Sequence, residues 1–582
     1  MITAAESVSE FKIKIDDLEL PRSVELIGVY INKAINKIAH ARLVFKDGDV
    51  AAGDFPLSKS SLFIPGKVVE ISAGSPDQQT PVFSGIIIKQ AISIRGNKSP
   101  QLILECRHKA VNATIIKRSN CMHSVTDAEV ISSALKASGL SNGEMDIEDM
   151  PVVHPEMVQY DCTDWDYVVS CAEAAGKIVL TNTAKVVVKT PALLARPIET
   201  LTFGATPGAT IIELDAEMDS RTQFKSVIAR TWSAADQTLV EETGLEPSLS
   251  IFGDLESATL ADANKQMAYL IQHGGALTPQ EIKQMANAGL LKSRLAKIRG
   301  RIKCDGTALI NPGDMVVLEG LGGRFNGNAF VSAVRQDFSH AEGWKTQLQV
   351  GHTPEWFINE PSVPGVKAAG MVPGSNGLLT GIVTDNEDPE GEFRVRVRIP
   401  VIHASDDGIW ARIALADAGN SRGMFFRPEI NDEVILGFLS DDPRQPVILG
   451  MLHSSAQAPP VTPSNDNQQK GYTSREQLRL MFDDAKKEII LETPGGNTIT
   501  LSDDTRGIEL KDQHGNKITM NDQGIVIEAL QKIELKAGAQ LVIAAPNLSM
   551  SADGSCELKG SGSATIESGG ALTIKGSVVN IN

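Results

Sequence analysis

Apolar and polar positions alternate with a two-residue period through much of this chain, most regularly in its last hundred residues. There an apolar–x–apolar triplet recurs at Ile489/Leu491, Ile499/Leu501, Ile508/Leu510, Ile518/Met520, Ile525/Ile527 and Ile533/Leu535. It continues at Leu541/Ile543, Leu548/Met550, Cys556/Leu558, Ala564/Ile566, Leu572/Ile574 and Val579/Ile581, in steps of 7 to 10 residues that settle near 8. Turn formers stand between the triplets, among them Pro494-Gly495-Gly496, His514-Gly515-Asn516, Asp522-Gln523-Gly524 and Ser568-Gly569-Gly570. Period-two alternation bounded by Gly, Asp and Asn predicts short strands, and a short fixed repeat predicts a solenoid or fibre.

Each such strand turns two sizeable side chains inward, worth roughly 3–6 kcal/mol when buried. Ordering five residues costs about 5–10 kcal/mol. A lone strand therefore cannot hold itself, and must stack on neighbours. One chain winding as a parallel β-helix would do this, as would three chains each giving one wall of a triangular prism. The near-constant step and the absence of longer loops favour three intertwined chains over residues 475–582. Their shared core would be built from Ile489, Leu491, Ile499, Leu501, Ile508, Leu510, Ile525, Ile527, Ile533, Leu535, Leu541 and Ile543. Such a needle would be on the order of 60 Å long, with Val578, Val579, Ile581 and Asn582 at its tip.

Upstream, residues 1 to about 120 predict Gly- and Pro-punctuated strands at 10–15, 23–29, 42–45, 67–71, 82–88 and 101–106, as a barrel or sandwich requires. Thr126-Asp127-Ala128-Glu129 is a capping box that opens a helix ending at Gly139. A second helix is bracketed by Thr163 and Gly176, with Trp165, Val168, Val169 and Ala172 as its apolar stripe. Strands follow at 177–180 and 184–189. Residues 261–299 predict helix, broken at Gly274-Gly275 and restarted by Thr278-Pro279-Gln280-Glu281. Strands are predicted again at 308–310, 314–319, 330–335 and 345–350. Residues 361–376 and 454–474 have linker composition. Between them, residues 377–453 carry five strand patterns, which suit an OB-type barrel.

Several segments match a known family. Val158-Gln159-Tyr160-Asp161-Cys162-Thr163-Asp164-Trp165-Asp166-Tyr167-Val168, with Ala172-Glu173-Ala174-Ala175-Gly176 behind it, resembles a hub segment of the VgrG proteins, trimeric spikes of bacterial contractile injection systems. The run from Gly381 to Gly391 resembles the opening of their OB domain. So do Trp410-Ala411-Arg412, the stretch from Ala418 to Gly423, that from Arg427 to Val434, and that from Asp442 to Gly450. The resemblance implies a mainly β protein: residues 1–360 as a hub of two β-barrels with helical insertions, an OB-fold neck, and a trimeric β-prism needle. It also implies a structural role, adapting a threefold spike to a hexameric inner tube and perforating a target envelope when the sheath contracts. The implied partners are two further copies of the chain, the inner tube protein, baseplate proteins, a small PAAR-type protein on the tip, and effector cargo where the machine carries it. A trimeric tail-fibre-like adhesin is the alternative; it should end in a receptor-binding domain, and no such pattern follows the repeats.

Composition narrows the chemistry. A formal charge of −17 argues against nucleic acid, and the OB segment, with thirteen acidic and seven basic residues, lacks a basic groove. Six scattered cysteines without CxxC spacing predict reduced core thiols. Met1 to Phe11 lacks a basic-then-apolar signal, so cytoplasmic assembly before delivery by the particle is expected. Gly320-Leu321-Gly322-Gly323 lacks the third glycine of a phosphate-binding loop, and predicts a turn. The acidic loop 385–392 lacks the ligand alternation of an EF-hand. Ten histidines form no HExxH, and Cys121-Met122-His123, the nearest approach to a metal site, offers two ligands only. No enzymatic activity, cofactor or metal is expected.

Overall fold

The structure is a computed structural model, and it describes residues 10–581 apart from 22, 97, 183, 205–209, 234 and 266. The chain divides into two units, residues 1–453 and 454–582. Among the described residues, no helix is long and apolar enough to cross a membrane.

The first unit is built on a 13-stranded sheet to which both ends of the hub region contribute. Strands Glu10–Ile15, Leu26–Ala34, His40–Lys46, Val68–Ser75, Gln78–Arg95 and Lys98–Arg107 form one half. Strands Ile211–Met218, Ile298–Asp305, Met315–Glu319, Gly327–Ser339 and Gly343–Val350 form most of the other. The halves join where Gly327–Ser339 pairs antiparallel with Leu26–Ala34. Each half has its own core: Phe11, Ile31, Leu43, Phe45, Phe63 and Leu104 in the first, Ile302, Val316, Leu318, Val331 and Leu348 in the second.

The helical insertions are α1 (Asp127–Ala137), α2 (Asp164–Ala174), α3 (Ser257–Ala263) and α4 (Pro279–Leu295), of which α1, α2 and α4 contribute to a third core. The predicted caps are present. The Thr126 and Thr278 hydroxyls accept from the N–H groups of Glu129 and Glu281, and each glutamate reaches back to its cap. Thr163 caps α2 through the Asp166 N–H at 3.1 Å, and Gly139 and Gly176 take φ of +88° and +70° just past the helix ends, as expected of residues in that left-handed region. The hub motif explains itself locally. The Gln159 amide donates to the buried Asp164 carboxylate (3.0 Å), which also accepts from Arg118 Nε (2.9 Å) and Ser138 Oγ (2.8 Å). Glu173, in the same motif, forms a buried ion pair with Lys292 of α4 and accepts the Phe357 N–H at 2.6 Å.

Beyond the hub, Leu379–Asp385, Val395–Arg398, Ile409–Ile413, Glu433–Phe438 and Pro446–Met451 close a five-stranded barrel. Its strands neighbour one another in the order first, second, third, fifth, fourth, which is OB topology. Val383, Val397, Ala411, Val434, Leu436 and Ile448 fill it, and Val158 of the hub packs against the same core.

Four expectations change. The helix expected across 261–299 is interrupted not by the two glycines alone but by a strand, Ala268–Gln272, running parallel to Ser226–Ser233. Lys265 at φ +56° ends the helical run, and the pairing places Ile271 in the helical core. Residues 308–310 form no strand: the Thr307 carbonyl is taken by the Gln336 and Thr346 side chains, so Ile310 is buried on a loop. Residues 361–376 are not a free linker, because Val363, Ala368 and Met371 are buried and a short hairpin pairs Lys367–Ala368 with Val372–Pro373. Cys556 is exposed, whereas Cys106, Cys162, Cys171 and Cys304 are buried as expected.

The buried Glu173–Lys292 pair gives a direct test. Removing one partner strands the other charge in the core, so Glu173→Ala should destabilise the first unit by about 3–5 kcal/mol. Glu173→Ala combined with Lys292→Met should cost less than Glu173→Ala alone, as read from denaturant midpoints.

Candidate functional site: an uncovered apolar sheet face and the hub–barrel junction

The second unit holds a seven-stranded antiparallel meander: Gln469–Thr473, Arg479–Asp483, Glu488–Glu492, Thr498–Ser502, Gly507–Lys511, Lys517–Asn521 and Gly524–Glu528. Its first strand lies inside the stretch expected to be linker, because Gln469–Thr473 pairs with Arg479–Asp483 residue for residue. Turn chemistry sets the strand length. Gly496 and Gly515 take φ near +90°, Lys487 and Arg506 sit at +51° and +53°, and the Asp512 carboxylate accepts the N–H groups of His514 and Asn516.

Register does the rest. Leu480 pairs with Leu491, Leu491 with Ile499, Ile499 with Leu510, Leu510 with Ile518, and Ile518 with Ile527. A second column runs Phe482, Ile489, Leu501, Ile508, Met520, Ile525 through the same ladders. Both columns share one face, because residues two apart on a strand point the same way. The other face is mixed, with Ile490, Thr500, Glu509 and Thr519 successively opposed. Tyr472, Leu480, Leu491, Ile499, Leu510 and Ile518 line an open groove of about 1010 Å³ on the apolar face. Among the described residues beyond His453, no hydrophobic side chain is buried.

Of the twelve expected core residues, eight therefore lie on this face: Ile489, Leu491, Ile499, Leu501, Ile508, Leu510, Ile525 and Ile527. Ile533, Leu535, Leu541 and Ile543 follow the last strand and are exposed, because residues 529–581 form no strand. Val578, Val579 and Ile581 are exposed too, and Asn582 lies outside the described residues.

In the first unit, a chain of buried charges locks the barrel to the hub. His154 Nδ1–H donates to Glu281 at 2.7 Å, and Nε2–H donates to Asp127 at 3.0 Å. Both carboxylates can only accept, so the ring is an imidazolium. Burial opposes its charge, but the Asp127 and Glu281 bonds prevail and raise it to about 9. For Glu281, burial alone would raise the carboxyl; the His154 bond and the Arg444 charge bring it down to about 2. Arg444 comes from the barrel loop before Pro446–Met451, reaches Glu281 at 3.3 Å, and grips Asp442 with Nε and Nη2. Asp442 also accepts from His273 Nε2 at 2.9 Å. Gln445 adds two bonds to the backbone of Ala276, and Ser440 Oγ accepts the Gly274 N–H. The family-like run from Asp442 to Pro446 is thus the latch between barrel and α4.

Sequence reasoning missed this network. Asp127 and Glu281 are legible as helix-capping residues, but nothing in the spacing brings His154 and Arg444 to them. The glycine-rich segment at 320–323 is a turn, as expected, in which the Asn326 side chain accepts the Leu321 N–H at 2.8 Å. In the acidic loop, Asp388 is taken by Arg394, with bonds of 2.8 and 2.9 Å. Cys121 and His123 gain a third neighbour, Asp406.

The raised His154 contributes stability that is complete below its ordinary pKa of about 6.5 and is lost as pH rises through about 9. A His154→Asn variant should therefore melt well below the wild type at pH 6, by an amount on the order of 2–3 kcal/mol. The gap should close by about pH 9.5, as followed by thermal unfolding of the first unit across that range.

Comparison with known proteins agrees with this architecture. Residues 5–340 match the family described as the Alg8 N-terminal domain, more than half of the 582-residue chain. Residues 379–453 match the type VI secretion system/phage-baseplate injector OB domain, and 488–582 the phage baseplate V C-terminal trimerisation domain. An 85-residue stretch is 34% identical to the actin cross-linking toxin VgrG1 of Vibrio cholerae, covering 13% of this chain and 8% of that protein. The chain thus spans under a tenth of the length of the curated relative it matches. Among solved structures, the lidless PdpA–VgrG complex has a chain 10% identical, with a TM-score of 0.55 over 89% of this chain and 98% of that one. The lidded Francisella PdpA–VgrG complex gives 11% identity and a TM-score of 0.54, over 89% and 80%. At such identities the likeness is one of fold. The chain belongs to the Alg8 N-terminal-domain family, whose model covers more than half of its length, and behind that region it carries an injector OB domain and a trimerisation domain.

Proposed function

We propose that this protein acts as a homotrimer in which the β-meanders of three chains close on one another, apolar face to apolar face, to form the needle. The observation that carries the proposal is the pair of in-register apolar columns that one chain leaves uncovered. Each such side chain stabilises by about 1.5–3 kcal/mol once buried, and three copies supply one another's cover. The trimer core is assigned to Ile489, Leu491, Ile499, Leu501, Ile508, Leu510, Ile525, Ile527, Ile533, Leu535, Leu541 and Ile543. The last four extend the prism through residues that find strand partners only on neighbouring chains.

On this reading the action is mechanical. The hub adapts the threefold spike to a hexameric inner tube and seats on baseplate proteins, the OB barrels form the neck, and the needle perforates the target envelope when the sheath contracts. Stiffness and slow unfolding are what the task demands, and three chains sharing one core cannot fray separately. Val578, Val579, Ile581 and Asn582 form the seat for a PAAR-type tip protein, and effector cargo travels with the trimer. Assembly takes place in the cytoplasm, and the spike leaves with the particle. The chain itself is non-catalytic: it shares only a short stretch with the Vibrio cholerae toxin, and its conspicuous polar clusters join structural elements.

Light scattering tests the oligomer. Three chains of 62.3 kDa should give about 187 kDa, resistant to detergent, and removal of residues 454–582 should abolish that resistance. Leu491→Asp with Ile499→Asp should also prevent assembly, by placing charges in the core. A full-length protein that runs as a well-behaved monomer overturns the proposal.

A further inference from the structure

The ribbon formed by Lys117–Thr126 and Val153–Thr163 turns one face toward the OB barrel. Cys121 and Val158 are register partners on it, as are His123 and Glu156. Val158 and Cys121 pack against the barrel core, which fixes the direction in which His123 and Glu156 also point. The barrel answers with Asp406, from the loop between its second and third strands. The Asp406 carboxylate lies 2.9 and 3.1 Å from His123 Nε2, and Cys121 Sγ lies 3.7 Å from the same nitrogen. One ligand atom from each of the three falls within 4.8 Å of the others. In a tetrahedral zinc centre, bonds of about 2.0–2.3 Å place neighbouring ligand atoms roughly 3.5 Å apart. The cluster is therefore close to ligand spacing before any ion is added.

From this convergence we propose that Cys121, His123 and Asp406 form a zinc site that staples the OB barrel to the hub. The donor set decides the metal class. One sulfur, one imidazole nitrogen and one carboxylate oxygen suit zinc, whereas calcium and magnesium want oxygen alone. His123 ligates through Nε2, which already faces the thiol and the carboxylate. Its Nδ1 points to Glu156 Oε1 at 3.9 Å, where a small approach would give the ring the carboxylate partner that metal-bound histidines usually have. The Glu156 carboxylate accepts in turn from the Trp410 N–H of the barrel, a long bond of 3.4 Å. His123 is about a third exposed and Asp406 about a sixth, so a water from the open side completes the coordination. The Asp406 Oδ1 bond from the Asp407 N–H, at 2.7 Å, holds the ligand loop in place. The staple ties together two modules whose other major tie, the Arg444 latch, is also polar. A neck that transmits thrust gains from a second fastening.

Cobalt(II) is the probe, titrated into full-length protein stripped with a chelator and carrying Cys556→Ser to remove the exposed thiol. One cobalt per chain is expected, with the visible bands of a tetrahedral site and a near-ultraviolet thiolate-to-cobalt band, both displaced by zinc. Asp406→Asn alters a loop residue without changing its volume; it should weaken cobalt at least tenfold while circular dichroism stays unchanged. Cys121→Ser should remove the thiolate band. Zinc should raise the melting temperature of the wild type and leave that of Asp406→Asn where it is. Absence of stoichiometric cobalt in the wild type overturns the site, as does a thiolate band that survives Cys121→Ser or an affinity unchanged by Asp406→Asn.

Discussion

An apolar sheet face that its own chain leaves uncovered is the constraint on which the C-terminal unit of this protein depends. In the ladder from Leu480 to Ile527, hairpin turns bring each strand beside the last in register. The ladder does not satisfy the hydrophobic effect, which needs a second layer over the two columns. No helix or further strand of the described unit supplies it. On the proposed reading, burial of that face and trimerisation are one event. On that reading, stability lies in contacts between chains rather than within one.

The first unit meets a different demand. Hub and barrel are separate modules, joined by the apolar contact of Val158 with the barrel core and by polar groups taken out of water. Arg444 serves both sides at once, gripping Asp442 in its own loop and touching Glu281 at the start of α4. Glu281 in turn caps that helix and holds His154, which reaches on to Asp127 at the start of α1. A buried charge is tolerated only when paired, so each member fixes its neighbour's position. Direction at a joint is better specified by such bonds than by apolar contact, which tolerates sliding. The Cys121–His123–Asp406 cluster lies at another point of the same joint, and the same physics applies to it.

Much of this was legible in the residues. Caps at Thr126, Thr163 and Thr278 follow from local hydrogen bonding, which needs no tertiary context. The five barrel strands follow from alternation, and the strands between 489 and 527 from a repeat whose turns are built of Gly, Asp and Asn. Errors came where local preference was overruled. Residues 268–272 pair with a strand forty residues upstream, residues 308–310 spend their backbone bonds on side chains, and residues 361–376 bury three side chains despite a linker's composition.

Period-two patterning and turn chemistry therefore determined, from sequence alone, the strands between 488 and 528 and which face of that meander is apolar, because those signals act over a few residues, whereas the same pattern from 529 to 581 forms no strand within one chain. Tertiary structure alone decided which charges meet. His154 and Glu281 are 127 positions apart, Glu281 and Arg444 163, and His123 and Asp406 283. No local preference encodes such a meeting, since a carboxylate in a helical cap has the same conformational signature whether it faces water or a buried arginine.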